Sequence, residues 1–554
     1  MTRRRLRMLL AMGCVAMLST NAASLADASA LAYARADAVL ARMTLEQKVG
    51  QLFLVTFKGP SLSPSLQRMI AEYHIGGVVL FKISGNVVSA RQIAQLVNEA
   101  QSLAARSGAG VPLFVAVDEE GGRVSRLPEP APRFPSAMAL GATRSEESAR
   151  AAARATAEML RALGINTNFA PVLDVNDNPE NPIIGTRAFS DDPQLVGRLG
   201  VATMQAYREA GILAVVKHFP GHGGTAADSH LTVPQVKRTA EATQRIDLFP
   251  FARAIEAGAD AIMTAHVVHV ALDATQPATF SPRILRALLR DQLSFRGLVV
   301  SDSLLMRGAV NEKRSLSEAL VQALMAGADV LAIGADPGYE QLAQPDAYRA
   351  VRDAALADPA VMRRVNEAAR RILWVKARYG LLDWHPVDPG AAEAALRDPQ
   401  KHALAQRLAR EAVTLIRDPH AVFDQLAQRA LLVVMLDTPA ETLWQAIRTC
   451  RPDAQRSSIQ ALESHLRERP DALVVGVLAA SRPSSEALVR AAALPAERSL
   501  IVSPAQPFLA RKLPERLAFL TAFDETPYAL NALAEALCGK LQPRRQAVLS
   551  MLER

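Results

Sequence analysis

Short apolar runs alternate with stretches of helical periodicity over roughly the first two thirds of this 554-residue chain. The runs are QLFLVTF, GGVVLF, PLFVAV, INTNFAPV, ILAVV, DAIMTAH, GLVVSD and ADVLAIG, beginning at residues 51, 76, 112, 165, 212, 260, 297 and 328. Such runs are typical of strands that are buried on both faces of a parallel sheet. The intervening segments are rich in helix formers and close with glycine, which often ends a helix. Eight strand–helix units predict a (β/α)8 TIM barrel, with a doubly wound open sheet as the alternative.

A second strand–helix series follows a segment of loop-like composition. The stretch YGLLDWHPVDPG carries Pro386 and Pro389, and we expect a linker at 386–396. Beyond it, a helical stretch is followed by the apolar runs ALLVVML, ALVVGVL and SLIVS, again separated by helical pattern. The chain is therefore predicted to contain a catalytic barrel at 31–385 and a smaller α/β sandwich domain at 397–554.

The N-terminus has the pattern of an export signal. Four arginines within residues 3–7 precede an apolar run, and small residues follow through 28–30. We expect residues 1–30 to be a cleaved leader and the mature protein to be periplasmic or secreted. A lipid anchor at Cys14 is the alternative for this segment. No later run reaches the about 18 apolar residues of a membrane helix, so no membrane span is predicted.

Composition excludes several classes of partner. Basic residues form no stripe interleaved with aromatic ones, so we predict no nucleic-acid binding, and the net charge of +8 includes the leader arginines. Beyond the leader, Cys450 and Cys538 are the remaining cysteines, which leaves open one disulfide or two thiols and provides no zinc spacing. We predict neither a resident metal nor a cofactor.

Two glycine-containing loops supply candidate polar contacts. In VDEEGGRVSRL, Asp118 ends a predicted strand and Gly121–Gly122 permits a tight turn before Arg126. Asp118 either accepts hydrogen bonds from a polyol or forms a structural ion pair with an arginine. In NPIIGTRAF, Arg187 either clamps a ligand oxygen or is an ordinary surface arginine.

The segment KHFPGHGGTAADSH combines titratable side chains with backbone freedom. Lys217 and His218 directly follow the fifth predicted strand, and the glycines and Pro220 prevent a helix. Asp228 and His230 are spaced so that the carboxylate can hold the imidazole as a general acid/base. A structural histidine that ties down the loop is the alternative.

A further run, GLVVSDSLLM, ends a buried strand at a carboxylate. Asp302 is a candidate nucleophile at the mouth of the barrel; the alternative is that either Ser301 or Asp302 caps a following helix. In TAHVVHVALD, His266 ends the sixth predicted strand and either lines the pocket or is a structural histidine. A metal-dependent hydrolase that uses His218, His222, His230 and Asp228 remains a rival interpretation.

In chain order, five motifs resemble glycoside hydrolase family 3, and most closely its β-N-acetylhexosaminidase branch. They are DEEGGRVSR, NPIIGTRAF, KHFPGHGGTAADSH, MTAHVVHVALDATQPATFS and LSFRGLVVSDSLLMRGA. The resemblance extends over about residues 40–385, and KHFPGHG with a trailing DSH is its most specific part. It implies a carbohydrate substrate containing N-acetylglucosamine, such as a muropeptide or a chitooligosaccharide, and no cofactor. A β-glucosidase or a glycoside phosphorylase of the same family is the alternative.

The resemblance also implies roles for individual residues. Asp302 matches the nucleophile that forms a covalent glycosyl-enzyme, and His230, backed by Asp228, matches the acid/base. The positions that match sugar-binding residues are Asp118, Arg126, Arg187, Lys217 and His218. Gly224 departs from the branch, which commonly has an aspartate there.

Overall fold

All eight predicted strands of the first region form one parallel sheet. The computed structural model describes residues 30–226, 233–334, 343–480, 482–546 and 549–552. The strands of this region, in chain order, are β1 (Phe53–Thr56), β2 (Gly77–Val79), β3 (Phe114–Val117), β4 (Thr167–Asn168), β5 (Leu213–Phe219), β6 (Gln235–Val236), β7 (Ala261–Thr264), β8 (Val268–His269), β9 (Leu298–Val300) and β10 (Leu331–Ile333). The order β10-β1-β2-β3-β4-β5-β7-β9 and a bridge between Val300 and Val330 close the sheet, so the barrel is confirmed. Strands β6 and β8 pair separately.

Helices cover the outside of the barrel. They are α1 (30–40), α2 (Leu45–Gln51), α3 (Pro64–Ala71), α4 (Ala90–Arg106), α5 (Ala137–Thr143), α6 (Glu146–Ala162), α7 (Pro193–Glu209), α8 (Ala240–Ala242), α9 (Phe249–Glu256), α10 (Leu316–Ala326), α11 (Ala343–Ala357) and α12 (Pro359–Arg378), with a wider π-type helix at Arg283–Gln292. Helix α4 illustrates their origin, because the hydroxyl of Ser89 caps its first turn. Ile93, Val97, Ala100 and Ala104 recur at helical spacing and are buried against the sheet.

The segment predicted as a linker is partly helical. Helix α13 (Pro389–Leu396) occupies most of it, and its Ala392 and Leu396 are fully buried. Proline at the first helical position needs no hydrogen-bond partner, and the Asp388 side chain caps the helix by accepting from the Gly390 amide. Pro389 therefore marks a helix start, whereas Pro386 lies in the non-helical residues 384–388 before it.

The second region is a three-layer α/β sandwich, as predicted. Its strands are β11 (Thr414–Arg417), β12 (Leu431–Met435), β13 (Gln455–Ser457), β14 (Leu473–Val477), β15 (Ser499–Val502) and β16 (Ala518–Thr521), and its helices are α14 (Pro399–Ala412), α15 (Glu441–Cys450), α16 (Leu462–Glu468), α17 (Ser485–Ala492) and α18 (Pro527–Leu537). The sheet order is β11-β16-β15-β14-β12-β13, with only β11 antiparallel to its neighbour. Separate apolar clusters pack on its two faces.

Covalent and noncovalent contacts tie the second domain together and join it to the barrel. A disulfide links Cys450, at the end of α15, to Cys538, which follows α18. Phe508 and Phe523 of the second domain are buried within the apolar cluster of the barrel, so the two domains share part of one core. Among the described helices, none has both the length and the apolar composition needed to cross a bilayer.

Candidate active site

The carboxyl ends of the barrel strands surround a cavity of about 210 Å³. Its volume lies below the roughly 300–1,000 Å³ of sites for drug-sized ligands and suits a single sugar ring. Six of the predicted site residues line it: Asp118, Arg126, Arg187, Lys217, His218 and Asp302. Because parallel strands end at the same edge, side chains far apart in sequence meet here.

A buried ion network connects three of the strand ends. The Lys217 ammonium lies 2.6 Å from an oxygen of Asp118 and 2.6 Å from one of Glu120. The Arg187 guanidinium donates two hydrogen bonds, of 2.8 and 2.7 Å, to the Glu120 carboxylate. Lys217 lies within β5 rather than after it, and the partner of Asp118 is this lysine rather than an arginine. Arg187 is not a surface residue, because its side chain is 14% exposed.

Electrostatics keep this network ionised. Burial disfavours the carboxylate of Glu120, but the charges of Arg187 and Lys217 outweigh it and hold the pKa of Glu120 well below its usual value. Burial likewise opposes the charge of Lys217, but Asp118 and Glu120 outweigh it and raise the pKa of the lysine. The cavity wall therefore presents fixed charges of both signs at neutral pH.

A second pair orients His218. Its Nδ1 lies 2.7 Å from the carboxylate of Asp174, whose other oxygen accepts from the His222 amide. Asp174 is fully buried, and although burial opposes ionisation, the neighbouring His218 lowers its pKa. With Nδ1 held in this way, Nε2 of His218 faces the Arg187 guanidinium at 3.5 Å.

Asp302 is placed by the turn after β9. Its Oδ1 accepts a hydrogen bond of 2.7 Å from the Ser303 amide, and the residue lines the cavity together with Ser303. His266 lies behind this turn, where its ring nitrogens contact the Thr279 hydroxyl and the Ser303 carbonyl, each at 2.9 Å. His266 is not among the cavity-lining residues, and it therefore supports the turn that carries Asp302.

The glycine-rich loop leaves β5 at the rim of the same cavity. His222 lines the cavity, its Nδ1 lies 2.9 Å from the Thr225 hydroxyl, and burial lowers its pKa to about 4. A side chain at Gly223 would collide with the Val175 backbone, because a Cβ would lie 1.9 Å from the carbonyl oxygen. The predicted acid/base pair, Asp228 and His230, lies outside the described residues, directly beyond this loop.

No cluster of three or more histidine, cysteine, aspartate or glutamate side chains within the described ranges has the arrangement of a metal site.

A model of the glycosyl hydrolase family 3 N-terminal domain matches residues 44–375. The chain belongs to glycosyl hydrolase family 3. The family 3 chain is 33% identical, over 78% of its length and 77% of the relative's, to a protein named β-hexosaminidase A from Pseudoalteromonas piscicida. It superimposes on a family 3 β-N-acetylglucosaminidase from Paenibacillus sp. with a TM-score of 0.81 and 31% identity, over 92% of this chain and 99% of that chain. A β-N-acetylhexosaminidase from Beutenbergia cavernae covers 60% of this chain and 98% of that chain, with 32% identity and a TM-score of 0.55.

Two acidic residues of this family 3 site were not predicted from the sequence. Glu120 and Asp174 both follow apolar runs, and a carboxylate at a strand end was the signal used for Asp118 and Asp302. Glu119 and Glu120 are adjacent but diverge: Glu119 accepts from the Arg126 and Leu127 amides, whereas Glu120 faces the cavity. The pattern alone did not separate the residue that holds the loop from the one that reaches the site.

Proposed function

We propose that this enzyme is a retaining glycoside hydrolase that releases terminal β-linked N-acetylhexosamine, with Asp302 as nucleophile and His230, supported by Asp228, as acid/base. The observation that carries the proposal is that Asp302 and the ion network around Lys217 line one cavity of the size of a sugar ring. The named relatives, β-hexosaminidases and β-N-acetylglucosaminidases, support the same activity.

In the first step, a carboxylate oxygen of Asp302 attacks the anomeric carbon while the bond from that carbon to the leaving oxygen breaks. His230 donates its proton to that oxygen, so the aglycone leaves as an alcohol. In the second step, water attacks the anomeric carbon, His230 takes its proton, and the bond to Asp302 breaks. The product retains its configuration, because two displacements invert the centre twice.

An imidazole suits the acid/base position for an electrostatic reason. A carboxylate acid/base would become a second negative charge close to Asp302, and each charge would raise the pKa of the other. His230 carries no negative charge in either protonation state, and its ordinary pKa lies near neutral pH. Asp228 would steady the imidazolium, which agrees with the two-residue spacing.

The ion network is suited to holding hydroxyl and acetamido groups. Asp118 and Glu120 accept hydrogen bonds, whereas Lys217, Arg187 and Arg126 donate them. Because Lys217 is already shared between two carboxylates, one of its contacts can pass to a sugar without leaving a buried charge unpaired.

The leaving group would extend into a cleft of about 790 Å³ between the domains. Arg123 lines this cleft and donates to the carbonyl of Ile183, which lines the sugar cavity, so the two spaces adjoin. The charged residues that line the cleft are of both signs: Arg123, Arg482, Lys512, Glu180, Asp524 and Glu525. Such a lining accommodates either a muropeptide or a chitooligosaccharide, and the predicted leader favours an exported enzyme of peptidoglycan turnover.

An assay of aryl N-acetylglucosaminide against the matching glucoside, with and without phosphate, tests the activity. We expect rapid hydrolysis of the first, slow hydrolysis of the second and no sugar phosphate. Incubation with a fluorinated N-acetylglucosaminide should label Asp302, as read by peptide mass spectrometry. Sugar phosphate as the main product, or a label on another carboxylate, would contradict the proposal.

Replacement of His230 by alanine tests the acid/base. We expect kcat to fall by about 10²–10⁴-fold, because proton donation to the leaving oxygen is lost. Binding of N-acetylglucosamine, measured by calorimetry, should change little. His420→Ala, in an exposed histidine of the second domain, is the matched control and should leave both quantities unchanged. Equal losses in binding and turnover would count against the role of His230.

A further inference from the structure

A buried carboxylate of the second domain reaches the barrel beside the sugar-binding loop. We propose that Asp524 is a positioning residue that holds the loop carrying Asp118 and Glu120 in its binding geometry. This inference rests on the proposed function, because that function gives the two carboxylates their role in sugar binding. The second domain thereby contributes to the geometry of a site whose side chains all come from the barrel.

Asp524 joins the two domains through hydrogen bonds. Its Oδ2 accepts a bond of 3.1 Å from the amide of Ser136, in the barrel, and the Ser136 hydroxyl donates to the carbonyl of Phe523 at 2.8 Å. On the side of the second domain, Asp524 accepts from the amides of Glu525 and Thr526, at 2.7 and 3.2 Å. The residue is 2% exposed, so water does not replace the carboxylate as acceptor for these amides if the side chain is removed.

Ser136 lies in the segment against which the sugar-binding loop turns. The amide of Gly122 donates to the carbonyl of Phe134 at 2.9 Å. A Cβ at Gly121 would lie 2.6 Å from the Pro135 oxygen, and one at Gly122 would lie 2.7 Å from the Ser136 Cβ. The glycine turn therefore packs directly on 134–136, and a shift of this segment must move the turn.

The turn is short and leads directly to the site. Glu120 adjoins Gly121, and its carboxylate lies on Arg187 and Lys217, which fix the far side of the cavity. Phe523, beside Asp524, is fully buried in the apolar cluster of the barrel and prevents the contact from sliding. A connected path of packed atoms thus runs from the second domain to the cavity wall.

The test compares Asp524→Ala, Asp524→Asn and Glu393→Ala in the full-length chain. Glu393, on α13, forms a partly exposed ion pair of 2.9 Å with Arg91 of the barrel, lines neither the cavity nor the cleft, and serves as the control. Burial raises the pKa of Asp524 to about 6, so measurements at pH 7.5 compare variants with the ionised side chain. The readouts are KM and kcat on an aryl N-acetylglucosaminide, and hydrogen–deuterium exchange of the peptide covering 118–127.

We expect Asp524→Ala to lower kcat/KM by about tenfold, as loss of an outer partner does at other ordered sites, with most of the change in KM. Exchange at 118–127 should become faster, because the segment 134–136, whose Phe134 carbonyl accepts from the Gly122 amide, is no longer held by Asp524. Asp524→Asn should give KM and exchange values between those of the wild type and Asp524→Ala. Its side-chain oxygen still accepts a hydrogen bond, but its NH2 group places a donor against an amide that also donates. Glu393→Ala should match the wild type in both readouts.

A folded Asp524→Ala protein with wild-type KM and wild-type exchange at 118–127 would overturn the inference. If that variant does not fold, Ser136→Ala removes one of the two interdomain bonds and should still raise KM and speed exchange. The exchange readout needs no substrate. A wild-type protein without hexosaminidase activity would therefore refute the proposed function, and the positioning of the loop would still be measured.

Discussion

The two ends of the barrel both bury charged side chains, but they differ in what surrounds the charges. At the amino end, before β10, the fully buried Asp329 accepts from Arg290, Arg364 and Arg371 at 2.7, 2.6 and 3.0 Å. At the carboxyl end, Lys217 is equally buried and equally well paired, but it faces a cavity. Burial and ion pairing therefore occur at both ends of the barrel. The carboxyl end differs because its charged side chains also line a cavity.

The partners of the amino-end charges are protein atoms. The nearby Lys376 ammonium donates to the side-chain oxygen of Gln51 and to the Gly76 carbonyl, and burial lowers its pKa well below the usual value. No ligand can take the place of a partner in a network enclosed in this way, and removal of one member leaves buried charges unpaired, which strongly destabilises the fold. The contrast predicts that amino-end changes alter folding and that cavity changes alter turnover.

The largest expected effect follows from Asp302→Asn, which keeps the shape of the side chain and removes the nucleophile. We expect kcat/KM to fall by at least about 10³-fold, because an amide oxygen does not displace the aglycone. The thermal midpoint should stay the same or rise, since a carboxylate held for catalysis is often a cost to stability. Kinetics with calorimetry on the same preparation check both. A large loss of stability would remove the contrast between the two ends.

Asp329→Asn should have the opposite profile. Three arginines would lose their common counter-charge in a buried site, which typically costs about 3–5 kcal/mol in the free energy of unfolding. Turnover per folded molecule should stay near the wild-type value, because Asp329 lies outside the cavity. Denaturant unfolding and active-site titration measure the two quantities.

Asp383→Asn is the matched control for this variant. It removes an ion pair with Arg35 in which both side chains are about half exposed. Solvent screens such pairs, so we expect little change in stability. If Asp329→Asn instead reduces turnover at unchanged stability, the amino end has a functional role that the contrast denies.

The fold could be predicted because its pattern is local. Continuous apolar runs bounded by turn residues located all eight barrel strands. Closing glycines located the ends of helical stretches such as α4, which ends at Arg106, two residues before Gly108. Strand β13, with the sequence QRS, was not predicted, because two of its three residues are exposed and it carries no apolar run. Helix α13 was not predicted, because prolines mark both loops and helix starts.

The site was predictable where chain geometry alone determines it. Residues at strand ends of a parallel barrel meet at one edge, so Asp118, Lys217 and Asp302 converge whatever their side chains do. Which side chains form ion pairs and hydrogen bonds depends on side-chain directions and long-range packing, and no local pattern in a single sequence predicts these. Asp524 illustrates this, since its partner Ser136 lies 388 positions earlier in the chain.

Asp247 sharpens the comparison, because it is buried at the carboxyl end without lining the cavity. It lies beneath the glycine-rich loop, where its Oδ2 is 3.2 Å from Nε of Arg238 and its Cβ would lie 2.9 Å from a Cβ at Gly221. Burial raises its pKa to about 7, against the attraction of Arg238 and with the repulsion of Asp177 and Asp174. Substitution of Asp247 therefore tests whether location at the carboxyl end or exposure to the cavity determines turnover.

The direction in which stability changes with pH follows from the raised pKa of Asp247. The folded chain holds the proton more tightly than the unfolded chain, whose aspartate has a pKa near 3.8. The stabilisation is therefore complete below that value and is lost as pH rises through about 7. Between pH 5 and 7 we expect the wild type to lose about 2 kcal/mol of stability relative to Asp247→Asn, which has no proton to lose. Unfolding of both proteins by denaturant across this range, with kcat measured in parallel, checks the prediction. Parallel stability profiles of the two proteins would contradict the raised pKa of Asp247. A kcat of the variant as low as that of Asp302→Asn would show that location at the carboxyl end, and not exposure to the cavity, determines function.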